Sequence, residues 1–312
     1  MSTLSLTTAI ATYGHTTPLK EGTVPAERIA LEHLDVSPIT SAFRRMVRSL
    51  AYDVAEMAFS TYLCARAYDK PITALPIFLL RRFEHGSIVY NVKSGIQTPA
   101  DLHGRRVGLR SYTLTPGVWV RGILQDVYGV DHRQVQWVLS GDEHVAEYVP
   151  PANVTTAPAG SDLADMLLAG EIDAAIGVRG INAPEIQPLI PDARHAAAQY
   201  YQQAGVYPIS HLVVLKDELL RAHPWLAPEL FRLFNTAKEA YLTHLRRGTS
   251  LTPQDQAMQA MQQVLGEDPL LYGVARNEQT MTTFIKFNVA QQIIPQAVDI
   301  EALFPRNVLA LA

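Results

Sequence analysis

The sequence predicts an α/β protein in two lobes, with mainly parallel sheets flanked by helices. Three observations carry this. The chain has 312 residues, and at roughly 150 residues per domain that length suits two cores. With 48% hydrophobic and 18% charged residues, the composition is that of a folded globule, and no long uncharged apolar run suggests a membrane span. Apolar runs alternate with helix-like segments through the first two thirds, as parallel strands with crossover connections require. Lys plus Arg total 26 against 30 for Asp plus Glu, so no excess of positive charge advertises nucleic acid or anionic lipid, and a small molecule is the expected partner.

Leu4 to Thr12 alternates as a strand and ends in Tyr-Gly-His-Thr-Thr-Pro, turn formers that put His15 at the strand's C-terminal mouth. Arg28 to Leu34 reads as a second strand. Ser37-Pro38 and Thr40 start a helix that runs through Ser49. Tyr52 to Phe59 is an apolar run interrupted by Glu56, and Ser60 and Thr61 are expected to cap the helix that follows. Ile72 to Phe78 and Ser87 to Val92 are strands on either side of Arg81-Arg82-Phe83-Glu84-His85. Thr98-Pro99 opens a short helix, Arg106 to Leu109 is a strand, and Thr115-Pro116 introduces a helix to about Val127. Val135 to Leu139 is a strand, Pro150 to Gly160 a surface loop, Asp162 to Leu168 a helix and Ile172 to Val178 a strand. From His211 to Lys216 there is a further strand, after which the chain is chiefly helical.

In open α/β sheets ligands gather where strands end and helices begin. Polar clusters occupy such joins at Tyr13 to Thr17, Glu56 to Thr61, Arg110 to Thr115 and Gly177 to Arg179. Glu56 stands out, because a carboxylate inside Val54-Ala55-Glu56-Met57-Ala58-Phe59 must be paired, protonated or facing a cleft. Arg81, Arg82 and His85 add cationic or titratable groups where the chain passes between lobes. His211 opens an apolar strand near the return crossing, where a core histidine and a site histidine are equally reasonable. Glu143, His144 and Glu147 read as a helical surface. The sequence has no H-x-x-x-H, C-x-x-C, calcium-loop, G-x-G-x-x-G, Walker or G-x-S-x-G motif, so no metal or nucleotide cofactor is expected. The first residues lack the features of a secretory signal, and Cys64 is the sole cysteine, expected to be packed in a helix. Both point to the cytoplasm as the expected compartment.

The same clusters resemble the 4,5-dihydroxyphthalate decarboxylases over nearly the whole chain. The matching stretches are Tyr52-Asp53-Val54-Ala55-Glu56-Met57-Ala58-Phe59-Ser60-Thr61-Tyr62, Pro76-Ile77-Phe78 with Arg81, Phe83 and His85, and Tyr112-Thr113-Leu114-Thr115 with Trp119-Val120-Arg121-Gly122. Gly170-Glu171-Ile172-Asp173-Ala174 and Tyr207-Pro208-Ile209-Ser210-His211 complete the set. The chain departs from the pattern around Gly141 to Gly160, which is shorter and rich in Pro, Ala and Thr. The resemblance implies a fold similar to type 2 periplasmic solute-binding proteins, with a ligand cleft between lobes made of residues 1–89 with 208–312 and of residues 90–207. It would bring His15, Glu56, His85 and His211 toward one site.

For 4,5-dihydroxyphthalate, each ring carboxylate has a hydroxyl para to it. Removing that phenolic proton pushes electron density onto the carbon that must be protonated as carbon dioxide leaves. The protein would then need a base, an acid and cationic anchors, with no cofactor. The expected roles are His15 or Glu56 in hydroxyl deprotonation and His85 or His211 as donor of the ring proton. Arg45, Arg81 and Arg179 would hold carboxylates, and Ser60, Thr61, Tyr112 and Thr115 would orient the ring. The alternatives are a non-catalytic binder of a small aromatic carboxylate and another small-molecule enzyme on the same fold. A homodimer is the expected assembly, with the helical C-terminal third either covering the first lobe or making the subunit contact.

Overall fold

Alternation at the start of the chain produces β1 (Leu4–Ala9), whose inward positions Leu6 and Thr8 are buried. The strand stops before the expected Thr12. Beyond Ala9 the backbone bonds to side chains instead of a neighbouring strand: the Ala11 N–H to Glu56 and the Tyr13 N–H to the Thr16 hydroxyl. The turn leads into α1 (Thr17–Lys20), then β2 (Ile29–His33) and α2 (Thr40–Ser49). The amphipathic helix α2 buries Ala42, Phe43, Met46 and Val47, and it ends in a left-handed Leu50 at φ 50°. In β3 (Val54–Ala58) every residue is buried, as expected for a strand covered on both faces.

The strand runs directly into α3 (Phe59–Ala67). Ala58, not Ser60 or Thr61, stands at the N-cap position, so the two hydroxyl residues lie buried inside the first turn. Cys64 is buried in the same helix, as its apolar surroundings imply. Next, β4 (Ile72–Arg81) extends past the expected Phe78 to take in Arg81.

The chain continues as β5 (Ile88–Asn91), β6 (Arg106–Leu109), α4 (Thr115–Tyr128), β7 (Gln136–Leu139), β8 (Val154–Thr156), α5 (Leu163–Ala169), β9 (Ala174–Ile176), β10 (Ile186–Pro188) and α6 (Ala193–Ala204). The last segment holds β11 (Ile209–Lys216), α7 (Asp217–Ala222), α8 (Leu226–Arg247), α9 (Pro253–Leu265) and α10 (Glu278–Ala290). The structure, a computed structural model, describes residues 3–178, 180–266 and 268–312. No described helix is long and apolar enough to cross a membrane.

Two sheets result, in the orders β2-β1-β3-β11-β4 and β10-β5-β9-β6-β7-β8. In the first, β1 is parallel to β2 and β3, whereas β11 is antiparallel to both β3 and β4. In the second, β6, β7, β8 and β9 pair in parallel, and β5 is antiparallel to β9 and β10. The sheets are therefore mixed but mostly parallel. Every antiparallel pairing among the described residues involves β5 or β11. Each of these is the first strand after the chain passes from one unit to the other, so no crossover helix dictates its direction.

The contacts divide the chain into two units. One comprises the chain up to Arg81, Ile209–Met281 and Val298–Ala312; the other comprises Arg82–Pro208 and Thr282–Ala297. Residues 82–89 and 282–297 thus pack with the second unit, where the sequence reading assigns them to the first. The reason for the later stretch is aromatic packing on α4. Trp119 stacks on Phe284 at 4.6 Å, Phe287 meets it edge-on, and Arg121 Nε donates to Gln291 Oε1 at 2.6 Å. In the first unit, α8 buries Leu230, Leu233, Phe234, Ala237 and Tyr241, packing against β4 and α1. Of the two roles expected for this apolar face, covering the first lobe or making a subunit contact, the helix shows the first.

Candidate active site

Glu56 sits at the centre of β3 with no exposed surface. A carboxylate in that position persists only if its lone pairs are filled, and three donors fill them. The Ala11 N–H donates to Oε2 at 2.9 Å, while the Tyr13 hydroxyl and His211 Nδ1 both meet Oε1 at 2.6 Å. Burial pushes the Glu56 carboxyl up. The hydrogen bond and charge of His211, with the Tyr13 and Ala11 donors, outweigh burial and hold the group below the usual carboxylate range.

Strand register brings His211 to this carboxylate. Val213 of β11 lies opposite Glu56 and His211 opposite Ala58, so the imidazole reaches Glu56 along the diagonal of the pair. With Glu56 ionised, Nδ1 carries the proton, which leaves Nε2 as the nitrogen for another partner. The His211 side chain keeps 12% of its surface accessible, and the Phe43 ring stands edge-on to it at 5.0 Å.

Tyr13 owes its position to the turn after β1. Its N–H donates to Thr16 Oγ1 at 2.8 Å, its carbonyl accepts from Thr17 Oγ1 at 2.9 Å, and its ring stacks parallel to His15 at 5.4 Å. His15 is buried behind that stack. Burial lowers its pKa to about 4 despite the Glu56 charge, its backbone contact is with Leu79, and its Nε2 has no partner.

The first unit thus brings together His15, Glu56 and His211. Arg81, at the end of β4, donates from Nη1 to Asn277 Oδ1 at 2.8 Å and is buried. Arg45 is different: it is exposed on α2 and lies over the Tyr52 ring at 5.2 Å, and it is not among the donors to Glu56. Arg179 lies outside the described residues.

In the second unit, His85 is buried in a single turn of 3-10 helix, between the rings of Phe83 and Tyr200. Neither of its ring nitrogens has a partner, and burial lowers its pKa to about 4. Tyr112 and Thr115 are also buried, Thr115 as the first residue of α4. The Tyr112 hydroxyl has no partner, and burial raises its pKa. The backbone beside them is clamped from both sides. Arg121 donates to the Tyr112 carbonyl at 2.6 Å with its guanidinium 4.0 Å from the Tyr112 ring, and Glu143 accepts from the Tyr112 and Thr113 amides and the Thr113 hydroxyl.

This corrects the reading of Glu143 as a helical surface residue. It sits in the loop after β7 and is buried, because two backbone amides and a hydroxyl need an acceptor there. Among the described residues, no three His, Cys, Asp or Glu side chains gather as a metal site.

The sequence reading gives Tyr13 and Arg121 no role of their own, and Glu143 only that of a helical surface residue. Tyr13 lies in a strand-end cluster, and Arg121 in the Trp119-Val120-Arg121-Gly122 stretch that carries the family resemblance. Tyr13 meets Glu56 across 43 positions, Arg121 meets Gln291 across 170, and Glu143 meets Thr113 and Tyr112 across 30 and 31, separations that only the fold closes.

Comparison with known proteins gives this geometry its relatives. No family model matches the sequence. The chain is 32% identical over 323 aligned residues to 4,5-dihydroxyphthalate decarboxylase of Comamonas testosteroni, covering 97% of each. It is 33% identical over 215 residues to the Pseudomonas putida protein of the same name, covering 65% of this chain and 83% of that one. Among solved structures it is similar to the periplasmic aliphatic sulphonate binding protein SsuA from Escherichia coli, with a TM-score of 0.56, 14% identity and coverage of 97% and 92%. The last likeness shows the periplasmic-binding-protein fold alone. Identity above 30% over nearly the full length of both chains goes further: the chain belongs to the 4,5-dihydroxyphthalate decarboxylase family.

Proposed function

We propose that this chain is a carbon–carbon lyase that converts 4,5-dihydroxyphthalate to protocatechuate and carbon dioxide, a step of phthalate degradation. The observation that carries the reading is the buried Glu56–His211 pair, in which one imidazole nitrogen is fixed by a carboxylate and the other is left for substrate. Such a pair suits proton transfer, since the carboxylate sets the tautomer and stabilises the imidazolium. Family membership supplies the substrate class.

The chemistry balances as follows. Loss of the proton from the hydroxyl para to the departing carboxylate drives electron density to the carbon bearing that group. A proton is added there, the carbon–carbon bond breaks, and its electron pair restores the aromatic ring as carbon dioxide leaves. The phenolic proton then returns, so one proton is consumed per turnover. His211 is the proton-transfer group in this proposal. Glu56, whose oxygens are committed to Ala11, Tyr13 and His211, is a positioning residue rather than the base itself. His85 is neutral at pH 7 and unpartnered at both nitrogens, and it is the second candidate for proton exchange. Arg81 remains the candidate anchor for the retained carboxylate, and Arg179 is kept in that role from sequence alone. Ser60, Thr61, Tyr112 and Thr115 are kept as ring contacts. The cytoplasm is the proposed compartment, consistent with a sequence whose sole cysteine, Cys64, has no second cysteine in the chain to pair with, and cell fractionation tests it.

Incubation of the purified chain with 4,5-dihydroxyphthalate tests the reading, with protocatechuate and carbon dioxide as the expected products in equal amounts. Tight binding without product would replace it with the non-catalytic alternative.

A further inference from the structure

Oε1 of Glu56 holds two donors, the Tyr13 hydroxyl and His211 Nδ1, each at 2.6 Å. Donors that share one oxygen compete for its electron density, so a bond from one weakens the pull on the other. We infer that Tyr13 is a positioning residue that sets the proton affinity of His211 through Glu56: its hydroxyl draws charge from the shared oxygen and so eases release of the imidazole proton. The inference rests on the reading of His211 as the proton-transfer group.

Tyr13 is built to hold that place. Thr16 and Thr17 fix its backbone, and the His15 ring lies parallel to its own. The other groups around the pair act differently. His15, in the same turn, and Lys20 of α1 interact with Glu56 only through charge. From α2 comes the uncharged ring of Phe43, and Leu80 of β4 lies opposite His211. Ala11 donates to the other carboxylate oxygen. Among the described residues, Tyr13 is therefore the side chain whose bond meets His211 on one atom.

The test is an NMR titration of His211 in the full chain, with its signal assigned by its loss in His211→Gln. In Tyr13→Phe the oxygen is freed for the imidazole, and the His211 midpoint should rise by about 0.5–1 pH. Incorporation of 3-fluorotyrosine at position 13 keeps the ring and makes a stronger donor, so the midpoint should fall. This variant carries the test if Tyr13→Phe does not fold. A merely structural Tyr13 would lower the melting temperature and leave the midpoint in place in both variants, which would overturn the inference. The limb of the kcat–pH profile that reports His211 should move with the midpoint. A midpoint that moves while the profile stands still supports the coupling and contradicts His211 as the proton-transfer group.

Discussion

Glu56 is the residue on which the site turns, because burial and ionisation are reconciled there by three donors from two segments, the stretch after β1 and strand β11. Glu56→Gln removes the negative charge but keeps the shape. It should lower turnover by about 10²-fold through loss of His211 orientation, as read by steady-state kinetics with substrate affinity retained. The buried histidines make a separate prediction about stability. His15 and His85 have folded pKa values of about 4 against 6.5 when unperturbed, so between those values the unfolded chain binds more protons than the folded one. Stability should therefore fall as pH drops from about 6.5 toward 4, by at most about 3 kcal/mol per histidine. Denaturant unfolding at pH 5 and pH 7 measures this, and His15→Phe should flatten part of the slope. Glu56, held low, adds a loss of the same sign at pH below the ordinary carboxylate range. The sequence marks Glu56 as paired, protonated or facing a cleft without deciding among them, and the structure shows it paired. Tyr13, Ala11 and His211 converge on it only after β1, β3 and β11 pair.

The turn between β1 and α1 is the element that connects these side chains, and its glycine is there for space. A Cβ on Gly14 would lie 2.1 Å from Cε2 of the Tyr241 ring, on the buried face of α8. Gly14→Ala should cost about 1–3 kcal/mol as the ring or the turn gives way. It should also reduce turnover by displacing Tyr13 and His15, which thermal unfolding and kinetics on the same preparation would show. Elements with clear punctuation were legible: α2 runs from Thr40 through Ser49 as expected from its helix-start residues, and β6 matches its expected bounds. Others were not. Helix α6 is built from Ala-Arg-His-Ala-Ala-Ala-Gln-Tyr-Tyr-Gln-Gln-Ala and buries only Ala197 and Tyr200, so its apolar stripe is faint. Strand β8 is three residues inside a Pro- and Ala-rich loop, too short for alternation to declare itself. The caps expected at Ser60 and Thr61 failed because β3 passes into α3 without an exposed turn.

At the scale of the molecule, the alternation of strands and helices disclosed the α/β class, while the direction of β5 and β11 and the allegiance of 282–297 depended on where the chain changes units. The proposed chemistry makes a demand on the substrate that no part of the protein can supply. Phthalate, lacking the hydroxyls, should bind and lose no carbon dioxide. 4-Hydroxyphthalate should lose only the carboxylate para to its hydroxyl, giving 3-hydroxybenzoate, as product analysis would show. The most direct test of the central claim is the decarboxylation rate of 4,5-dihydroxyphthalate measured side by side for the unaltered chain and His211→Gln. A correctly folded variant should turn over about 10²–10⁴-fold more slowly; equal rates in the two proteins would contradict the account.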